Sequence, residues 1–227
     1  MRSLISFIYS LIMDLKIIGR ENLPKSGPLI IVSNHFHFLD PVTFIRVLPY
    51  PIEFLGGYRT PNAPGWTEVF RILYGVLRVR RGASSRDSIK AAQSVLEQNG
   101  TLAIFPEGGS WATVLRPARP GTALLAVRTG APILPIGIDG STDVFPSLGK
   151  GKRARVTITI GKPYMAGSSM DPGLTMREKM EEMGHEMMRH IRDLIPSDRH
   201  GCYSDDPVVR EAARGTEIYP WDGVVEE

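Results

Sequence analysis

The chain has 227 residues, 42% of them hydrophobic and 22% charged, with a formal net charge of +3. This length suits one well-cored domain and is short for two. The small charge, without basic runs interleaved with aromatic residues, argues against a nucleic-acid partner. A single cysteine, Cys202, excludes an internal disulfide. No stretch reaches the ~18 consecutive apolar residues that a membrane-spanning helix needs.

The first predicted element is an N-terminal amphipathic helix within residues 1–18. Its polar positions recur at helical spacing and form one narrow stripe on an otherwise apolar helix. These positions are Ser3, Ser6, Ser10 and Asp14. Such a helix either lies in a membrane interface or covers one side of the core. A secretory signal peptide is not favoured, because no small-residue cleavage site follows it.

Strands and helices alternate along residues 19–196. Short apolar runs bounded by proline and glycine predict strands, and helical spacing with capping and stop signals predicts helices. The predicted strands are 29–32, 52–55, 76–79, 102–105, 133–138 and 156–160. The predicted helices are 66–74, 85–98, 122–129 and 175–195. This alternation predicts an α/β fold: a single layered domain with a central mixed sheet flanked by helices.

The last part of the chain, residues 197–227, loses this alternation. Acidic residues outnumber basic ones there. We predict a polar, loosely packed C-terminal tail of no assigned function.

The strongest chemical signal lies directly after the first predicted strand, where His35 is followed five residues later by Asp40. A neutral imidazole accepts a proton from an alcohol only in the correct tautomer. A carboxylate bonded to the other ring nitrogen fixes that tautomer and stabilises the imidazolium. His35 is therefore a candidate general base and Asp40 its orienting group. His37 is interpreted as pocket lining.

A second polar site follows the predicted strand 102–105, where Glu107, Gly108 and Gly109 stand in sequence. The backbone amides of the two glycines could form an anion-binding concavity. Two polar sites at the ends of two buried strands indicate one active site at one edge of the sheet.

These stretches, together with others in the same order, resemble the glycerolipid acyltransferases, which include the 1-acyl-glycerol-3-phosphate acyltransferases. The resemblance covers roughly residues 19–165 in four blocks and a lead-in. The lead-in is Gly19–Pro24 with Gly27 and Pro28. The first block is Asn34, His35 and Asp40, and the second is Gly75, Leu77, Val79 and Arg81. The third block is Phe105–Gly108, and the fourth is Ile133, Pro135 and Ile136.

The resemblance implies transfer of a fatty acyl group to the hydroxyl of a lysophosphatidate-like acceptor in phospholipid biosynthesis. The acyl donor is expected to be acyl-CoA or acyl carrier protein, with no bound cofactor and no metal. Arg81 is the expected phosphate ligand, and Glu107 with Gly108 and Gly109 is expected to shape the acceptor site. The expected location is the cytoplasmic face of a membrane, as a peripheral protein in contact with the membrane surface.

The third block departs from the commonest family form, because Gly109 and Ser110 stand where threonine and arginine are frequent. Arg116 or Arg119, from the loop that follows, are candidates to compensate. The departure also keeps open an acceptor other than lysophosphatidate, a different lipid or alcohol.

Two other classes of function remain as alternatives. One is a metal-dependent hydrolase with His35, His37 and Asp40 as ligands; His185, His190 and Glu107 are possible further ligands. The other is an inactive lipid-binding module, which would bind membranes without thioester turnover.

Overall fold

The structure is a computed structural model that describes residues 7, 9–57, 76–79, 86–167, 171 and 173–218. The strands are β1 (Met13–Ile18), β2 (Leu29–Ser33), β3 (Glu53–Gly57), β4 (Val76–Val79), β5 (Thr101–Ile104), β6 (Ile133–Asp139) and β7 (Ala154–Ile160). The helices are α1 (Asp40–Val47), α2 (Arg86–Glu97), α3 (Pro120–Thr129), α4 (Val144–Leu148), α5 (Met176–Arg192) and α6 (Pro207–Ala212). The predicted helix 66–74 lies outside the described residues.

These strands form one sheet in the order β1-β7-β6-β2-β5-β3-β4. Neighbouring strands run parallel except β6 and β7, which are antiparallel. The predicted mixed sheet in a single α/β domain is therefore confirmed.

The central strand β2 shows how the sheet divides the core. All five of its residues are buried, and successive side chains point to opposite faces of a sheet. Leu29 and Ile31 pack in one apolar cluster together with residues of α1. Ile30 and Val32 pack in a second cluster with residues of α2, α3 and α5. Helices thus cover both faces of the sheet, and the strand ends remain available for polar side chains.

The long helix α5 begins where the sequence predicts and ends at Arg192, three residues before the predicted end at 195. Thr175 accepts a hydrogen bond from the backbone N–H of Glu178, and the Glu178 side chain accepts from the N–H of Thr175. This reciprocal pair is a capping box. The buried methionines of α5, which are Met183, Met187 and Met188, belong to the second core cluster.

The N-terminal helix is shorter than the predicted helix over residues 1–18. Residues 7 and 9–12 are helical, but Met13–Ile18 is strand β1, which pairs parallel with β7. The prediction is wrong from Met13 onward because this segment gains an inter-strand ladder that a helix would forgo. Tyr9 and Met13 are buried in the first core cluster, whereas Phe7 and Leu11 are 61% and 58% exposed.

The C-terminal segment, defined as residues 197–218, is folded onto the body with most of its side chains exposed, and the rest of the predicted tail, residues 219–227, lies outside the described residues. It contains two 3₁₀ helices, Ser197–Arg199 and Gly201–Tyr203, followed by α6. Its anchor is Leu115, whose N–H donates to the carbonyl of Arg199 at 2.9 Å and whose carbonyl accepts from the N–H of Cys202 at 3.4 Å. These paired backbone groups hold the segment against the body.

Among the described residues, no helix has both the length and the apolar character needed to cross a bilayer.

Candidate active site

The site lies at the carboxyl ends of two neighbouring parallel strands. β2 pairs with β5, with Val32 opposite Ile104. The chain beyond β2 therefore carries His35 to the same edge of the sheet as Glu107, which follows β5. The ring of His35 stacks on the ring of Phe105, with 4.2 Å between centroids. The expected convergence of the two sequence blocks is thus present.

His35 and Asp40 have the geometry of a general base and its orienting carboxylate. Nδ1 of His35 lies 3.1 Å from Oδ2 of Asp40. Because a carboxylate only accepts, this bond places the proton of the neutral imidazole on Nδ1 and leaves the lone pair on Nε2. The His35 side chain is 15% exposed and that of Asp40 is fully buried. The imidazole is therefore accessible, while its partner is shielded from water.

Asp40 is itself held by the backbone that precedes α1. Its Oδ2 accepts hydrogen bonds from the N–H of Phe36 at 2.9 Å and the N–H of His37 at 2.7 Å. Asp40 is the first residue of α1, and the N-cap residue Leu39 makes no side-chain capping bond. The carboxylate closes the turn from His35 to Asp40, and this closure fixes the distance between base and orienting group.

Asn34 fixes the other side of this turn, a role that the sequence did not reveal. Its Nδ2 donates to the carbonyl of Ile138 at 2.7 Å, and its Oδ1 accepts from the N–H of Ile138 at 2.8 Å. Both ends of the buried amide are therefore bonded to β6. Asn34 extends the β2–β6 pairing by a side chain, and this holds the backbone of His35 in place.

His37, which was interpreted as pocket lining, lies beside the site among aromatic rings. Its ring contacts the rings of Phe38 and Phe145 at centroid distances of 4.3 and 5.8 Å. Burial lowers the pKa of His37, although the charge of Asp40 opposes this shift. A neutral ring in an aromatic surround suits the wall of a pocket for an apolar ligand.

Glu107 is fully buried and forms an ion pair with Arg116, which was one of the two candidates to compensate for the altered third block. Burial raises the pKa of Glu107 to about 7, and the charge and hydrogen bond of Arg116 act in the opposite direction. The backbone N–H of His35 also lowers this pKa, whereas the charge of Asp40 raises it. Glu107 is thus electrostatically coupled to the His35–Asp40 pair.

The turn after Glu107 needs its first glycine. Gly108 has φ +84°, a conformation that residues with a Cβ rarely adopt. Its N–H donates to the carbonyl of Phe105 at 3.0 Å, so this amide closes the turn. We expected the amides of Gly108 and Gly109 to bind an anion together. That expectation is wrong for Gly108, because its amide is already bonded to Phe105. The carbonyl of Gly109 accepts from Arg116 at 2.6 Å.

Two further expectations concern residues around the site. Arg81, the expected phosphate ligand, lies outside the described residues. Arg119 lies at the start of α3, and its N–H donates to the carbonyl of Pro106 at 2.7 Å.

The ligand cluster of a metal-dependent hydrolase is not assembled in the described part of the chain. No group of three or more histidine, cysteine, aspartate or glutamate side chains there is placed to hold a metal ion. Nδ1 of His185 is hydrogen-bonded to the hydroxyl of Tyr203 at 2.8 Å, and the ring of His190 stacks on Tyr164 at 4.0 Å.

Comparison with known proteins agrees with this geometry. The model of the family described as Acyltransferase matches residues 14–139, more than half of the chain. The chain belongs to the acyltransferase family. The match includes the His35–Asp40 turn and the Glu107 turn, so both parts of the site lie in the segment that defines the family.

Three curated relatives show what kinds of acyltransferase the chain is similar to. It is 30% identical over 131 residues to a 1-acyl-sn-glycerol-3-phosphate acyltransferase of Borreliella burgdorferi, covering 56% of this chain and 52% of that protein. It is 31% identical over 161 residues to a chloroplastic 1-acyl-sn-glycerol-3-phosphate acyltransferase of Brassica napus, covering 67% of this chain and 45% of that protein. It is 25% identical over 190 residues to the 1-acyl-sn-glycerol-3-phosphate acyltransferase of Bacillus subtilis, covering 82% of this chain and 91% of that protein. The chain thus spans about half the length of the first two.

A solved structure supports the assignment of the fold. The crystal structure of PlsC, the 1-acyl-sn-glycerophosphate (LPA) acyltransferase of Thermotoga maritima, aligns with a TM-score of 0.57 at 23% identity. The alignment covers 85% of this chain and 78% of the PlsC chain. At this identity the similarity concerns the fold alone.

Proposed function

We propose that the protein transfers a fatty acyl group from a thioester to the hydroxyl of a lysophosphatidate-like acceptor in phospholipid biosynthesis. The observation that carries the proposal is the 3.1 Å contact of His35 Nδ1 with the buried Oδ2 of Asp40, beside Glu107 at the same sheet edge. Family membership and the names of the relatives support the acyl-transfer chemistry and the glycerophosphate acceptor.

The reaction needs no nucleophile from the protein, because the acceptor brings its own hydroxyl. Nε2 of His35 removes the hydroxyl proton as the oxygen attacks the thioester carbonyl. The tetrahedral intermediate collapses, the carbon–sulfur bond breaks, and the imidazolium returns the proton to the leaving thiolate. Asp40 stabilises the imidazolium between these two steps. The products are the diacylated lipid and a free thiol.

The free thiol gives a direct test of this proposal. The purified protein should release thiol from a long-chain acyl-CoA or acyl carrier protein only when an acceptor is present, and the two donors are assayed in parallel. Lysophosphatidate should support faster release than monoacylglycerol or lysophosphatidylcholine. No acceptor-dependent thiol release with either donor would refute acyl transfer, and a preference for another acceptor would refute the lysophosphatidate assignment alone.

Arg81→Ala is expected to raise the KM for lysophosphatidate about ten- to hundredfold, on the proposal that Arg81 binds the phosphate. A hydrogen bond to a charged group contributes about 1.5–3 kcal/mol, and each 1.4 kcal/mol is about a factor of ten. The KM for the thioester should change little. Steady-state kinetics on both substrates measure this, with exposed Arg86→Ala as the control for loss of surface charge. An equal loss on monoacylglycerol would reject Arg81 as the phosphate ligand.

We also propose that the protein attaches peripherally to the cytoplasmic face of a membrane, where the acceptor resides. The N-terminal helix supports this, because Phe7 and Leu11 expose apolar side chains one turn apart. The hydroxyl of Tyr9 donates to the carbonyl of Leu39 at 3.3 Å, so the helix lies against the turn that carries Asp40. Arg153, from the basic stretch 150–155, donates to the carbonyl of Ser10 at 2.8 Å, which places positive charge beside the same helix.

The double variant Phe7→Ser/Leu11→Ser is expected to reduce co-sedimentation with anionic liposomes and to slow turnover of membrane-borne acceptor. Each large apolar side chain contributes about 1.5–3 kcal/mol when fully buried, so two substitutions should weaken binding at least about tenfold. Activity on a short-chain soluble acceptor should persist. Met176→Ser, equally exposed at the start of α5, is the control. Unchanged liposome binding by the folded double variant would place the membrane contact elsewhere.

A further inference from the structure

Arg116 is a buried arginine that contacts the third sequence block and the loop that follows it. Its side chain is only 1% exposed. Nη2 donates to the carboxylate of Glu107 and also to the carbonyl of Gly109. Because Nη2 alone makes both contacts, one buried nitrogen holds the carboxylate of Glu107 and the carbonyl of Gly109 close together. The conformation of the Glu107 turn therefore depends on Arg116.

These contacts distinguish Arg116 from a ligand for the phosphate of a substrate. Its charge is already paired with a carboxylate, and the buried side chain offers almost no surface to an incoming anion. Arg116 instead binds Glu107. Glu107 lies close enough to His35 and Asp40 for those two residues to shift the pKa of its carboxyl group.

The C-terminal segment holds Arg116 from the other side. The guanidinium carbon of Arg116 lies 3.8 Å from the centroid of the Trp111 ring, a cation–π contact. Nε1 of Trp111 donates to the carbonyl of Thr216 at 2.9 Å, which fixes the plane of the indole. The residue before Arg116, Leu115, is hydrogen-bonded on both its backbone groups to Arg199 and Cys202.

We propose that Arg116 is a positioning residue for the acceptor site, and that the C-terminal segment keeps it in place through Trp111 and Leu115. This inference rests on the proposed function, in which Glu107 shapes the acceptor site. It gives the C-terminal segment a role in the reaction although the segment lies outside residues 14–139, which the family model matches.

The charges around Glu107 make this role measurable. Arg116 faces the carboxylate of Glu107. On the side of α1 lie Asp40 and the backbone N–H of His35, and on the side of the C-terminal segment lie Cys202 and Tyr203. Burial raises the pKa of Glu107, and Arg116 lowers it. Removal of the arginine should therefore raise this pKa further, so that the carboxyl is protonated at a higher pH than in the wild type. If acceptor binding needs the carboxylate, the acid side of the pH profile should move toward higher pH.

Three variants test the proposal in the 227-residue chain. Arg116→Met removes the charge, and Arg116→Lys keeps the charge but loses the planar guanidinium that lies over Trp111. Trp111→Phe keeps an aromatic ring but loses the N–H that donates to the carbonyl of Thr216. Arg189→Lys is the matched control, because Arg189 forms an exposed ion pair with Glu182 on α5. The measurements are kcat, the KM for lysophosphatidate and for the thioester, and the pH profile of kcat/KM for lysophosphatidate.

Arg116→Met and Arg116→Lys are expected to raise the acceptor KM about ten- to hundredfold, by analogy with the loss of residues that orient the metal-binding side chains of metalloproteins. The thioester KM should change much less. The acid limb should move to higher pH in Arg116→Met and move less in Arg116→Lys. Trp111→Phe should raise the acceptor KM several-fold, in the same direction.

Some results would overturn the inference while leaving the proposed function intact. One is an active wild type whose folded Arg116→Lys variant has the wild-type acceptor KM and pH profile. Another is an equal rise of both KM values, which indicates general damage. If the Arg116 variants do not fold, Trp111→Phe decides, and a folded Trp111→Phe with an unchanged acceptor KM overturns the inference. An inactive wild type would instead refute the proposed function itself.

Discussion

His35→Ala is expected to lower kcat by about 10²–10⁴-fold, the range contributed by a positioned general base. Nε2 of His35 is the nitrogen that carries the lone pair once Nδ1 is bonded to Asp40. Without the ring, the acceptor hydroxyl must lose its proton to water as it attacks. The KM values should change less than kcat, because the imidazole acts mainly in the transition state. Thiol release under saturating substrates measures the effect.

The control for this variant must separate lost chemistry from lost packing, because the His35 ring stacks on Phe105. Thermal unfolding of His35→Ala should therefore be compared with the wild type at the same pH. His190→Ala removes another stacked histidine, on α5, and should keep near-normal turnover. A folded His35→Ala protein with near-normal kcat would show that His35 is not the base.

Asp40→Ala is expected to lower kcat by a comparable ~10²–10⁴-fold and to destabilise the turn before α1. Oδ2 of Asp40 accepts three hydrogen bonds, from the ring of His35 and from two backbone N–H groups. Loss of the carboxylate leaves those buried donors without their acceptor, which costs about 1–3 kcal/mol for each group left unsatisfied. It also removes the charge that stabilises the imidazolium.

Asp40→Asn separates these two effects. The two backbone N–H groups should keep an oxygen at the position of Oδ2, so an asparagine there can still accept from Nδ1 of His35. The tautomer should then survive while the negative charge is lost. We expect a smaller decrease in kcat, about ten- to hundredfold, since a hydrogen bond to a charged group contributes about 1.5–3 kcal/mol. Equal losses in both variants would contradict this division, and NMR of the ring nitrogens would show which tautomer each contains.

Much of the fold could be predicted because its signals are local. The continuous apolar run 29–32 is typical of a strand buried on both faces, and β2 is such a strand. The Thr175–Glu178 capping box marked the start of α5 to within a residue. Gly130, with φ +60°, ends α3 where the sequence indicated. Each of these features depends on residues only a few positions apart.

Strand β1 was missed because two periodicities overlap at the N-terminus. The buried and exposed positions of Met13–Ile18 alternate as in a strand. The polar stripe of Ser3, Ser6, Ser10 and Asp14 continues at helical spacing as far as Asp14, so a helical pattern extends over the first part of the strand. Only the pairing with β7, more than 130 residues later, selects the strand. Long-range pairing of this kind leaves no signal in a short window of sequence.

The same limit explains the incomplete prediction of the site. His35, Asp40 and Glu107 were identified from short motifs, and the structure places them together. Arg116 was one of two equivalent candidates, because nothing near it in the sequence shows that its side chain turns inward to Glu107. The partners of Trp111 and Leu115 in the C-terminal segment are backbone carbonyl and N–H groups, which any sequence could supply.

The pairing of β1 with β7 has a practical consequence for exchanging parts between relatives. β1 lies at an edge of the sheet, and its neighbour β7 lies beyond residue 139, where the family match ends. A hybrid built by joining sequences at the limits of the match would combine an edge strand from one parent with a neighbouring strand from another. The side chains that meet between these two strands would then have different origins. Segments 13–18 and 154–160 should therefore be transplanted together, however far apart they stand in the gene.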